Sequence, residues 1–207
     1  MDILRMLPLL LLLVSGSSAF NRTFKDGEGV IKVIVRTSDC HQSGTDADVS
    51  SSPGFINERG VLLWRVEMNA IKGDAGDNLE RDTEQVMVKP LSKEEFAVIE
   101  NACTTHAWFN QERYNDCFHA NVIHFAVYTW FGNLYPAWNP GKMEVQLHIR
   151  APNKSKWIKS VWPDANCAHN WISADDSADH YLCKNEPPYW DLKPKKAPVI
   201  GGRIACH

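Results

Sequence analysis

The 207-residue chain has a formal charge of −3 and is 44% hydrophobic. That balance suits one globular domain with its own core, and it excludes the strongly basic footprint of a nucleic-acid binder. No stretch approaches the roughly 20 apolar residues of a membrane-spanning helix, so no transmembrane segment is expected in the mature chain.

At the N-terminus, Arg5 precedes an almost unbroken apolar run from Met6 to Val14, and Ser15 to Ala19 is small and polar. This pattern predicts a signal peptide over 1–19, cleaved after Ala19, with Ser17 and Ala19 at the positions a signal peptidase reads. The expected product is a secreted, extracellular chain that begins at Phe20. Its six cysteines are Cys40, Cys103, Cys117, Cys167, Cys183 and Cys206. An even count in an exported chain reads as disulfides, and the sequence leaves all fifteen pairings open. No Cys-x-x-Cys pair supports zinc. Two sequons, Asn21-Arg22-Thr23 and Asn153-Lys154-Ser155, mark Asn21 and Asn153 for glycosylation in a eukaryotic source.

Most of the mature chain reads as strands. Val30 to Arg36 is rich in β-branched residues, and Leu62, Trp64, Val66 and Met68 share one face of Val61 to Met68. Gln85 to Val88 and Val122 to Trp130 follow. Met143, Val145, Leu147 and Ile149 alternate with Glu144, Gln146, His148 and Arg150, the period of a strand with one buried and one wet face. Ser155 to Trp162 is another strand. One helix is expected after Pro90: Ser92 and Glu95 form a capping-box pattern, with Phe96, Ile99 and Ala102-Cys103 at helical spacing behind it. Asn185 to Pro198 holds four prolines and reads as an irregular wrap. Many short strands with turn signals predict an all-β sandwich or barrel.

Of the eight tryptophans, Trp64, Trp138 and Trp157 fall in strand patterns and are expected in the core. Trp130 and Phe131 end a strand and enter a loop with Leu134 and Tyr135. Apolar aromatics on a loop are costly in water unless they meet something. Trp130, Phe131, Leu134, Tyr135 and Trp171 are therefore the candidate membrane or partner contacts. The alternative is that this loop folds back under the segment from Val88 to Asn121.

Three motif-bearing segments belong together. The first is the strand from Val33, then Thr37-Ser38-Asp39 and Gly44-Thr45-Asp46-Ala47-Asp48-Val49. The second is Asp77-Asn78-Leu79-Glu80-Arg81-Asp82-Thr83-Glu84, leading into a strand. The third is Pro136-Ala137-Trp138, the strand to Ile149, Trp157 to Trp162, and Cys167-Ala168-His169-Asn170-Trp171-Ile172. In these motifs the chain resembles the PLAT, or lipoxygenase homology, domain. The resemblance runs from about Val30 to Ile172. It lapses between Val88 and Asn121, where the chain carries an insertion with Cys103 and Cys117. Asp82 stands where that family favours Gly, and Leu79 where it favours an aromatic residue.

The resemblance implies a two-sheet antiparallel β-sandwich over 20–172 with a helical insertion at about 88–121. A cysteine-containing, disulfide-linked extension over 173–207 would follow. It implies a stand-alone, non-catalytic module that binds a membrane lipid surface or an extracellular protein, in some members with calcium. Thr45, Asp46, Asp77, Asn78 and Glu80 are the implied metal site. Calcium takes six to eight oxygens from carboxylates, amides and carbonyls, and most of these residues supply that chemistry if their loops meet. The alternative is a solvated acidic turn whose side chains bond their own backbone. Tyr135-Pro136-Ala137 stands where calcium-binding members tend to carry acids before the matching Trp.

No catalytic residue is assigned. Glu144 and His148 share a strand face, which could do acid–base work as in small secreted ribonucleases. A secreted hydrolase or ribonuclease using that face is the alternative function, and a toxin or effector that blocks a host protein is another. His119 and His124, five apart, would face opposite sides of one strand. No Gly-x-Ser-x-Gly elbow, phosphate loop or His-Glu-x-x-His motif is present.

Overall fold

Period-two alternation becomes a pair of antiparallel sheets. A computed structural model describes residues 20–72, 79–128, 137–163, 167, 171–173, 179–184 and 200–204. In chain order the elements are β1 (Glu28–Thr37), β2 (Asp48–Ile56), β3 (Leu62–Arg65), β4 (Glu84–Leu91), α1 (Lys93–Ala107), α2 (Gln111–Asp116), β5 (Val122–Tyr128), β6 (Ala137–Trp138), β7 (Pro140–Ala151), β8 (Lys154–Trp162), β9 (Ile172–Ser173) and β10 (Asp179–Cys183). One sheet has the order β4-β1-β7-β8, the second β10-β5-β2-β3, and β6 pairs with β9. The expected all-β sandwich is therefore the observed architecture.

Ile31, Val33 and Val35 of β1 sit opposite Leu147, Val145 and Met143 of β7 in the antiparallel register. All six are buried, and they form one core with Val49, Trp64, Ile123, Phe125 and Val127 of the facing sheet. Each such side chain contributes roughly 1.5–3 kcal/mol by leaving water.

Strand direction defines two poles. β1 runs from Glu28, opposite Arg150, to Thr37, opposite Pro140. The loops after β1, before β4 and after β8 lie at the Thr37 end, here the loop pole. The chain from Leu91, which pairs with Gly29, to Val122, which pairs with Gly54, lies at the other end. It carries both helices, and this end is the helical pole.

The capping box that the sequence predicts is formed. The Glu95 N–H donates to Ser92 Oγ at 3.1 Å and the Ser92 N–H to Glu95 Oε2 at 3.0 Å. The helix then extends beyond the expected segment, to Ala107, and buries Phe96, Ile99, Cys103 and Ala107. A second helix, α2, is additional. Asn110 caps it by accepting from the Arg113 N–H at 3.0 Å, and six residues are too few for a hydrophobic period to show. Tyr114 and Phe118 drive into the core beside Phe24 and Phe96. Cys103–Cys117 ties α1 to the end of α2. Cys40–Cys167 spans the loop pole across 127 residues of sequence. Cys183 is also disulfide-bonded, while Cys206 lies outside the described residues.

Two expectations are corrected. Val61 to Met68 is a strand only over Leu62–Arg65, although Leu62, Trp64, Val66 and Met68 are all buried. Trp64 and Trp138 are core residues, but Trp157 is 57% exposed. Along β8 the inward parity belongs to Ile158, Ser160 and Trp162, which leaves Trp157 on the outer face.

The C-terminal segment adds β10 beside β5. Gly201 and Gly202 exchange backbone hydrogen bonds with Leu62 at 2.8 and 2.9 Å. Ile204, Tyr181 and Cys183 cluster with Ile56, Leu62 and Val122, so the outer face of the second sheet is partly covered. No helix among the described residues is long and apolar enough to cross a membrane.

Candidate functional site

At the loop pole the segments after β1 and before β4 come together through their backbones. The Thr45 N–H donates to Leu79 O at 3.3 Å, the Thr37 N–H to Thr83 O at 2.9 Å, and the Asp82 N–H to Ser38 O at 3.3 Å. Ion pairs reinforce the junction, Arg36 with Asp82 at 2.5 Å and Arg81 with Asp39 at 3.3 Å. Gly44 is required by close approach, because a Cβ there would lie 2.9 Å from Glu80 Oε2 and 3.1 Å from Glu80 Cα. Leu79 and Asp82 have φ of 59° and 61°. Asp82 thus takes the left-handed conformation that glycine adopts freely.

The two loops enclose a cleft of about 380 Å³ lined by His41, Gly44, Thr45, Asp46, Glu80 and Arg81. The structure therefore brings together Thr45, Asp46 and Glu80 of the expected metal site, while Asp77 and Asn78 lie outside the described residues. The Thr45 hydroxyl already accepts from the Ala47 N–H at 3.1 Å. Among the described residues no three acidic, His or Cys side chains form a metal-binding group. Two carboxylates are of the right type for calcium but fall short of its six to eight oxygens. Arg81 adds a positive charge to the same cleft. His41 and Arg81 were not singled out from sequence, although both directly adjoin the motifs.

Of the expected contact aromatics, Trp171 is partly exposed and its Nε1 donates to Cys167 O at 3.2 Å, beside the Cys40–Cys167 bond. Trp130, Phe131, Leu134 and Tyr135 lie outside the described residues. Trp138 is buried, and its Nε1 donates to Thr37 Oγ1 at 3.0 Å. The sequence reading passed over another pair, Trp108 and Phe109, which are 82% and 79% exposed. Their signal was two adjacent aromatics with no helical partner ahead of the capping residue Asn110.

At the helical pole, Asn21 and Asn153, the two sequon asparagines, both line a cleft of about 670 Å³ with Thr23, Gln111, Asn115 and Ser155. The N-terminal segment is held there by Arg22, which pairs with the buried Glu100. Thr104 and Tyr114 also donate to Glu100, at 2.9 and 3.2 Å. Burial alone would raise the Glu100 carboxyl. The hydrogen bonds from Arg22, Thr104 and Tyr114, with the Arg22 charge, outweigh it and hold the group below the ordinary carboxylate range.

Glu144 and His148 lie on the outer face of β7, as expected, but both are buried rather than wet. Glu144 accepts from Gln146 and pairs with Lys159 at 2.5 Å. Burial pushes its carboxyl up, and those two partners more than offset the push. His148 Nε2 is 2.7 Å from Ser155 Oγ, and its ring stacks on Trp157 at 4.3 Å. Burial and Arg150 lower its pKa. His119 precedes β5, so His124 alone of that pair is on the strand.

No protein-family model and no curated protein matches the chain. Among solved structures it is similar to a lipoxygenase in complex with arachidonate, at 15% identity and a TM-score of 0.41 over 76% of this chain. It is also similar to the alpha toxin of Clostridium absonum, at 16% identity and a TM-score of 0.33 over 70% of this chain. A third is a coral 8R-lipoxygenase whose calcium activation is ascribed to a C2-like domain, at 12% identity and a TM-score of 0.33 over 66%. The chain spans 17%, 28% and 17% of those proteins' own lengths.

Proposed function

We propose that this chain is a secreted, non-catalytic binding domain of the PLAT type. Its loop pole contacts a membrane lipid surface or an extracellular protein, with calcium held between the loops. The observation that carries the reading is the shared cleft, where Thr45-Asp46 and Glu80, distant in sequence, face one space. Asp77 and Asn78 adjoin Leu79 in sequence and would supply the further oxygens that calcium needs. The ion would neutralise the acidic loops, which otherwise repel anionic headgroups, and would stiffen their junction. With an overall charge of −3, simple attraction to anionic lipid is weak, so calcium dependence is the expected signature.

Calorimetric titration of calcium into wild type, Asp46→Ala, Asp77→Ala and Glu80→Ala tests the ion site. Co-sedimentation with anionic vesicles in calcium and in chelator tests the contact. Calcium binding that every one of these substitutions weakens supports the reading. Wild type that takes up no calcium ends the ion part of it.

A second reading, a small hydrolase or ribonuclease on the outer face of β7, draws on the 2.7 Å contact between His148 and Ser155. Against it, both Glu144 oxygens are already engaged by Gln146 and Lys159. Turnover of RNA, esters or phosphodiesters that both Glu144→Ala and His148→Ala abolish would promote this reading over the first.

A further inference from the structure

The turn between α1 and α2 is made of two residues poorly suited to it. Trp108 and Phe109 have φ of 40° and 65°, the left-handed region that bulky side chains rarely enter. Glycine or asparagine would make the same turn at a lower backbone cost. Both rings also stand almost fully in water, at 82% and 79% exposure. The turn is otherwise well made: Ala107 is fully buried, the Asn110 N–H returns to Ala107 O at 2.8 Å, and Asn110 caps α2. Phe109 is supported edge-on by Phe20 at 6.0 Å, and Phe20 rests in turn on Tyr114 at 5.4 Å. A rigid mount therefore holds two apolar rings outward, where neither fold stability nor solubility benefits.

We propose that Trp108 and Phe109 form a lipid-surface wedge at the helical pole. The inference does not depend on the proposed calcium loops, which lie at the opposite pole. Two aromatic side chains present at most about 150–250 Å² each, well short of the roughly 800 Å² per partner of a standard protein interface. Their sequence neighbours Thr105, Asn110 and Glu112 are polar and exposed and do not extend the apolar area. A convex two-ring tip needs no complementary pocket in a bilayer interface, and Trp in particular settles there with its N–H among the headgroups.

The test uses residues 20–207, which contain every described element of the fold, with Asn21 and Asn153 unglycosylated. Vesicles of phosphatidylcholine, alone and mixed with phosphatidylserine, are titrated in chelator. Wild type is expected to partition onto both. Trp108→Ser/Phe109→Ser is expected to partition at least about tenfold more weakly, the low end for the loss of even one of the two large apolar side chains. Brominated lipid should quench wild-type tryptophan fluorescence more than that of Trp108→Phe. Because both rings are exposed, the variants should keep the wild-type circular dichroism, which separates lost binding from lost fold. Equal partitioning of wild type and the double variant overturns the proposal, as does wild type that binds neither vesicle. Self-association that only the wild-type tip supports, without vesicle binding, would replace it with a protein contact. Vesicle binding in chelator with no calcium uptake would leave the wedge standing while the calcium reading fails.

Discussion

The two poles of the sandwich are held by different means. At the loop pole, irregular segments meet through backbone hydrogen bonds and exposed ion pairs such as Arg36–Asp82, and one disulfide closes a long span of chain. At the helical pole, side chains dominate: Phe24, Phe96, Tyr114 and Phe118 interlock, and Arg22 docks on the buried Glu100. Exposed ion pairs contribute little, typically 0–1 kcal/mol, whereas aromatic packing contributes through burial. The loop pole is therefore the end that a ligand or ion can reshape. The helical pole is rigid enough to display a strained turn.

That contrast can be broken by experiment. The largest effect is expected from Cys40→Ser/Cys167→Ser. Its closed span of 127 residues corresponds to about 5 kcal/mol of lost chain constraint, against about 3 kcal/mol for the 14-residue span of Cys103–Cys117. Urea unfolding of the two double variants measures the difference. Equal losses would mean that the loop pole does not depend on its bridge.

Arg22→Ala should cost about 1–3 kcal/mol, since it removes charge-assisted bonds to a buried carboxylate while Thr104 and Tyr114 remain to satisfy it. The folded-state pKa of Glu100 is lowered. Its contribution is therefore complete above the unfolded value near 4.3 and is lost as pH falls through the lower folded value. Glu100→Gln should flatten the acid limb of the stability–pH curve. An unchanged limb would show that the pair does not hold the pole.

Trp108→Gly should raise stability by about 1 kcal/mol by relieving the left-handed backbone, seen as a higher unfolding midpoint with weaker vesicle binding. A loss of stability would mean that the tryptophan ring supports the fold, and the turn would no longer stand apart as a functional device.

The smallest effect concerns His106, where burial and then Arg113 lower the pKa against the opposing pull of Glu58. The unfolded chain binds the extra proton first, so stability should fall as pH drops from about 6.5 toward the folded value. His106→Gln should remove that slope from the titration.

Much of the framework was legible because it is local. The parity of Met143, Val145, Leu147 and Ile149 depends only on a two-residue period, and the Ser92–Glu95 box on one helical turn. The same locality explains the failures. Trp157 sits in a strand pattern, but which parity faces inward is set by the partner strand, and inward went to Ile158 and Trp162. Glu144 and His148 share a face as read, yet Lys159, Ser155 and Trp157 from the next strand cover them. Six residues gave α2 too little length for a period, and the exposure of Trp108 and Phe109 followed from that missed helix.

Sequence alone determined the four strands of the first sheet and β5, the start of the main helix and its cap, and the presence of an acidic motif on each of two separate loops. All of these follow from interactions within a few residues along the chain. Tertiary structure alone decided that Cys40 finds Cys167, that Asp46 and Glu80 face one cleft, that Asn21 and Asn153 share another, and that the C-terminal strand closes on β5. Those outcomes depend on the order in which β1, β4 and β7 pair, and on two helices carrying the chain from one sheet to the other. Contacts made across dozens of residues or more than a hundred reflect the whole topology rather than any local pattern.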